Sequence, residues 1–138
     1  MTVVRDAKPI PDRTSPVGSV RHVINAAISE KEFAQWVVDF ASLHGWRVFR
    51  VWNSQRSPAG WPDLSMVRRR DRRLVFAELK VQNPKKGKVS EDQQAWLDDL
   101  HFVASLPLVS AIRTDTRPIP EVYLWRPSDA AEIERILA

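Results

Sequence analysis

Three charged residues stand where two apolar runs would otherwise read as buried strand. In "PDLSMV", Asp63 opens the first run, directly behind Pro62; in "RLVFAELKV", Glu78 and Lys80 close the second. Side chains alternate along a strand, so Glu78 and Lys80 share one face while Ala77, Leu79 and Val81 share the other. Alone, that pattern also fits a half-buried strand that turns its polar face to solvent. Asp63 shifts the balance. A turn centred near Arg70 lies about midway between Asp63 and Glu78, so strands paired across it bring the two carboxylates together at one end of the sheet. Adjacent anions repel and raise each other's pKa unless a cation joins them. A divalent ion resolves the conflict, and oxygen-only ligands favour Mg²⁺ or Mn²⁺ over zinc. Lys80, one pleat beyond Glu78, can orient or deprotonate a water and stabilise charge on a phosphoryl group. That combination points to phosphodiester hydrolysis.

The elements that position these residues follow from periodicity. "SEKEFAQWVVDFASLHGW" predicts a helix: Ser29 and Glu32 form a capping box, Phe33, Trp36, Val37 and Phe40 recur at helical spacing, and Gly45 is a natural stop. "WRVFRVW" alternates as a strand, followed by the loop "NSQRSPAGWP". "DLSMV" and "RLVFAELKV" are two further strands joined by an arginine-rich turn, and "NPKKGK" is a second loop. "SEDQQAWLDDLHFVAS" is an amphipathic helix starting at Ser90, with Trp96, Leu97 and Leu100 on one side. "LPLVSAIR" and "EVYLW" read as strands around "TDTRPIP", and "RPSDAAEIERILA" ends the chain as a helix. The predicted order is helix, three strands, helix, two strands, helix. This is an α/β fold with one domain over residues 29–138. Residues 1–28, with Pro9, Pro11 and Pro16, read as an arm for a partner or second subunit to order.

Composition narrows the function classes. The chain has 138 residues, 43% of them apolar, enough for one packed core. It has no cysteine, which excludes disulfides and thiolate metal sites, and His22, His44 and His101 lack ligand spacing. No apolar run approaches membrane-spanning length and the start lacks a signal-peptide core, so a cytoplasmic protein is expected. The formal charge of +4 is concentrated in the middle, at Arg68, Arg69, Arg70, Arg72, Arg73, Lys80, Lys85, Lys86 and Lys88. Such a concentration suits a polyanion, nucleic acid first, although a solvated hairpin tip would look the same.

"PD" at Pro62–Asp63 followed by "ELK" at Glu78–Lys80 resembles the PD-(D/E)xK nuclease superfamily. "GWPDL…FAELK…GKVSEDQQAWL" resembles, more narrowly, its virus-type replication-repair nuclease (VRR-Nuc) family, including stand-alone phage members. The likeness runs from about Ser29 to the C-terminus, including the tail "VYLWRPSDAAEIERIL", and leaves the proline-containing arm outside it. It implies a restriction-endonuclease-like core: a mixed central sheet flanked by helices. It further implies that Asp63 and Glu78 ligate the metal with the Leu79 carbonyl, and that Lys80 acts on the attacking water. A glutamate on the first helix completes such sites. Glu30 is preferred, being in line with Phe33, Val37 and Phe40, while Glu32 has the capping box to close. Gln93 matches the family glutamine that steadies the site, but Ser90-x-x-Gln93 is equally a capping box.

Lys85, Lys86 and Lys88 should flank the catalytic end, and Arg50, Ser54, Gln55 and Arg56 lead into the Asp63 strand as phosphate contacts. The arginines of 68–73 lie at the far end of the hairpin, solvated or touching a distant DNA arm. The tryptophans read as core, with Trp61 beside Asp63 open to base stacking. The expectation is a Mg²⁺- or Mn²⁺-dependent, structure-selective DNA endonuclease, similar to Holliday-junction resolvases and acting as a homodimer. The alternatives are a flap, end or restriction-type nuclease, and a non-catalytic DNA-binding module on the same fold.

Overall fold

Helix α1 (Glu30–Leu43) starts as the sequence dictates: the Ser29 side chain accepts from the Glu32 N–H and the Glu32 carboxylate accepts from the Ser29 N–H. A computed structural model describes residues 28–51, 58–104 and 117–138. After α1 come strands β1 (Arg47–Arg50), β2 (Leu64–Arg68) and β3 (Arg73–Leu79), helix α2 (Glu91–Ala104), strand β4 (Glu121–Trp125) and helix α3 (Ala130–Leu137). Short 3₁₀ turns sit between β2 and β3 (Arg69–Asp71) and before α3 (Pro127–Asp129). The strand expected in "LPLVSAIR" lies at residues outside those described, as does nearly all of the arm.

The sheet order is β1-β2-β3-β4, with β1, β2 and β3 antiparallel and β4 parallel to β3. This is the expected mixed sheet flanked by helices. A parallel neighbour needs a crossover, which includes α2. Alternation divides the sheet's two faces. Leu64, Met66, Val75, Ala77, Leu79 and Trp125 pack with Phe33, Trp36, Val37 and Ala41 of α1 and with Ile133 and Leu137 of α3. Losing a fully buried member such as Leu64 to alanine costs about 2–5 kcal/mol. On the other face Trp61 packs edge-on against Phe76 and Trp96, and the His101 ring of α2 reaches the Val122 carbonyl of β4 at 3.1 Å. Trp61 thus has two aromatic packing partners and is half-buried.

The arginine-rich hairpin end departs from the sequence expectation. Arg68 and Arg73 are only 4% and 6% exposed, and both stack on the Trp46 ring. Arg68 makes two hydrogen bonds to Asp71 and donates to the carbonyls of His44 and Leu137. Arg73 binds Glu121 through two contacts of 2.8 Å and donates to the Ile136 carbonyl. The pair fills a structural demand: the last carbonyls of α3 have no intrahelical donors, and cations are favoured there. Arg69, Arg70 and Arg72 do stay exposed.

Candidate active site

The β2–β3 register decides how the three charged residues meet. Leu64 pairs with Ala77, so one step further Asp63 stands across from Glu78, on the same face. One of the Asp63 carboxylate oxygens accepts the Leu79 N–H at 2.9 Å, tying the carboxylate to β3. The same register carried one residue more sets Pro62 across from Leu79, and proline has no N–H to offer the Leu79 carbonyl.

Glu78 is 1% exposed and Lys80 9%, so the polar face of β3 is not turned to solvent. Among the described residues, Glu78 Oε2 is the one buried side-chain oxygen or nitrogen that lacks a hydrogen-bond partner. Burial first, then the hydrogen-bonding reach and charge of Asp63, push the Glu78 carboxyl up to about 9; Lys80 pulls it down and Glu30 adds to the rise. Two carboxyls in hydrogen-bonding reach can share one proton, but once both ionise nothing lies between them. Such a pair is unstable as two anions unless a cation arrives.

Helix α2 supplies the third side of the site. Gln93 closes the capping box with Ser90, its Oε1 accepting from the Ser90 N–H, and its Nε2 also reaches Glu78 Oε1 at 3.4 Å. The structural and functional readings of Gln93 therefore coexist in one side chain. The loop before Asp63 is pressed onto the same turn. A Cβ on Gly60 would lie 2.5 Å from the Asp92 carbonyl oxygen and 2.6 Å from the Gln93 nitrogen, and the residue has φ +89°, which disfavours any side chain. Trp96 Nε1 bonds the Ala59 carbonyl at 3.1 Å, fastening the contact from the other side.

Glu30 is exposed on the first turn of α1, yet near enough for its charge to act on Glu78. Glu32 is committed to Ser29, and those hydrogen bonds hold its carboxyl below the usual range. Among the described residues no three His, Cys, Asp or Glu side chains are grouped as a metal cage, so Asp63 and Glu78 stand as a pair with Glu30 at longer range. The donor set still fits a hard cation: two facing carboxyls, one with an unpartnered buried oxygen, beside a backbone carbonyl.

The basic loop after β3 projects Lys85, Lys86 and Lys88 into solvent at the same sheet end as Glu78. Arg50 reaches Gln35 at 3.5 Å from the end of β1. Ser54, Gln55 and Arg56 lie outside the described residues. Two residues shape this end of the molecule: Gly60, which opens the "GWPDL" motif but whose packing role the sequence does not give, and Arg126, which sequence reasoning missed. Their partners lie 32 or more residues away along the chain, and no local pattern encodes such contacts.

A family model described as the VRR-NUC domain matches residues 15–102, well over half of the chain and including Asp63, Glu78, Lys80 and Gln93. The chain belongs to the VRR-NUC family. It carries a nuclease domain of that type. The VRR-NUC match begins at residue 15, inside the arm and ahead of the motif resemblance that starts near Ser29, and stops before β4. No curated protein and no solved structure matches the chain. Among the described residues no helix is long and apolar enough to cross a membrane.

Proposed function

We propose that this VRR-NUC chain is a Mg²⁺- or Mn²⁺-dependent, structure-selective DNA endonuclease, acting as a homodimer on Holliday junctions in the cytoplasm of a bacterial or phage-infected cell. The observation that carries the reading is the Asp63–Glu78 pair, half-buried Asp63 facing buried Glu78, with an unpartnered Glu78 oxygen beside Lys80. Asp63, Glu78 and the Leu79 carbonyl would hold the cation, with Glu30 turning in from α1. When bound, it supplies Lewis acidity toward the scissile phosphate and lowers the pKa of the attacking water.

The chain's own groups do the rest. Gln93 holds one Glu78 oxygen, which fixes the direction of the other. The Lys80 ammonium orients the water and balances negative charge on the phosphoryl oxygens. The water gives up a proton to solvent as its oxygen bonds to phosphorus, the ester P–O bond breaks, and the leaving oxygen takes up a proton from solvent. Lys85, Lys86, Lys88 and Arg50, with Ser54 and Arg56 outside the described residues, bind backbone phosphates. Such contacts position DNA without reading sequence. Each chain has one such site, so two symmetric cuts in a four-way junction call for two copies.

The test is a panel of labelled four-way junction, flap and linear duplex, incubated with Mg²⁺, with Mn²⁺ and with EDTA. Paired symmetric nicks on the junction, lost in EDTA, are expected. Cleavage confined to flaps or ends would replace the resolvase with a flap- or end-directed nuclease. Binding without any cleavage in either metal would leave a non-catalytic DNA-binding module.

A further inference from the structure

The loop that carries Lys85, Lys86 and Lys88 is held shut by a residue far from it in sequence. Arg126 Nη1 donates to the Val81 carbonyl at 2.6 Å and its Nη2 to the Gly87 carbonyl at 2.9 Å, one at each end of the loop. The guanidinium is a rigid planar fork, so it fixes the separation of those carbonyls and not merely their charge. Gly87 is buried in the grip: a Cβ there would stand 2.7 Å from Arg126 Nη1 and 2.7 Å from the Val81 carbonyl oxygen. The base of the clasp is also secured. The Arg126 N–H donates to Asp129, and the Ser128 N–H donates to the Gln82 side chain, tying the β4–α3 junction to the loop.

We infer that Arg126 and Gly87 form a clasp that pre-sets the basic loop for phosphate binding, with Arg126 acting as a positioning residue and not as a phosphate ligand. Both Nη atoms already donate to carbonyls, one bond each, while the three lysines stand exposed around the clasp. A loop already closed spares the ordering that a mobile one would undergo on binding DNA. The inference rests on the proposed reading of this loop as a DNA contact.

The experiment measures equilibrium binding of a labelled four-way junction by the full chain in EDTA, over a range of NaCl concentrations, with melting temperatures to confirm folding. The triple variant K85A/K86A/K88A should flatten the log-log salt slope by about 2.7 if all three lysines neutralise phosphates. Arg126→Lys keeps the charge but not the fork, and Gly87→Ala keeps every charge. Each should flatten the slope by about one or more despite retaining all three lysines. In the triple-variant background neither should flatten it further. A wild-type slope in both Arg126→Lys and Gly87→Ala would overturn the clasp, and so would a further drop in the triple background, which makes Arg126 a phosphate contact of its own. An unchanged slope in the triple variant would instead remove the loop from the DNA interface, and the inference with it.

Discussion

The two ends of the β2–β3 hairpin both bury charge, but they treat it in opposite ways. At the turn end, Arg68, Arg73, Asp71 and Glu121 are matched donor to acceptor, with Tyr123 donating to Glu121 as well. The Arg68 contacts hold the Asp71 carboxyl below its usual range, and the Glu121 contacts push Arg73 above its own. At the open end, two carboxyls face each other, one oxygen has no partner, and Glu78 is pushed up to about 9. A saturated network gains nothing from a ligand. An unsaturated one is stabilised by whatever cation completes it, so the same residue types serve architecture at one end and chemistry at the other.

The largest effect should come from breaking the saturated end. Arg73→Met leaves Glu121 buried without its cation, with Tyr123 as a remaining donor, and the expected loss is about 3–5 kcal/mol in denaturant unfolding. The companion Arg73→Met/Glu121→Leu should recover much of it, and cleavage per folded molecule should stay near wild type. At the open end the signs reverse. Lys80→Ala or Asp63→Asn should lower cleavage at least about a hundredfold, while Asp63→Asn raises the melting temperature in EDTA near pH 9, where both carboxyls would otherwise be ionised. A destabilised, still active Asp63→Asn would erase the contrast.

The pH dependence sharpens it. Glu78 binds its proton more tightly folded than unfolded, rising from 4.5 to about 9. Its contribution to stability is therefore complete below pH of about 4.5 and is lost as pH climbs through about 9. Thermal melts in EDTA should decline across that window, and Glu78→Gln should flatten the decline. Because a cation must displace the shared proton, Mn²⁺ should raise the melting temperature more at pH 8 than at pH 6, by roughly the proton-release linkage. Equal Mn²⁺ shifts at both pH values would argue against binding at this pair. The smallest change concerns the turn itself. Arg72 has φ 57°, so Arg72→Gly should be neutral to about 1 kcal/mol stabilising in the same unfolding assay.

Much of this contrast was legible in the chain before any coordinates. The helical spacing of Phe33, Trp36 and Val37, the alternation in "RLVFAELKV" and the Ser29–Glu32 box specify their elements locally, and the structure follows them. The facing of Asp63 and Glu78 was legible because the hairpin turn is close and near-symmetric about Arg70. Burial of Arg68 and Arg73 was not. A charge run looks the same whether it meets water or the end of a helix, and the partners, Glu121 and α3, come from the other end of the sequence. Gln93 was ambiguous for a different reason: capping and holding Glu78 use different atoms of one amide, so a choice between them was never needed.

The turn at Arg69–Arg72 also fixes an arithmetic. Successive side chains change sides, so deleting or inserting a single residue there would shift one strand of the hairpin against the other. Asp63, roughly 20 Å away by strand length, would then meet Ala77 or Leu79 instead of Glu78. Loop tips ordinarily tolerate changes in length, yet this one works as a gauge block whose size is read at the opposite end of the molecule.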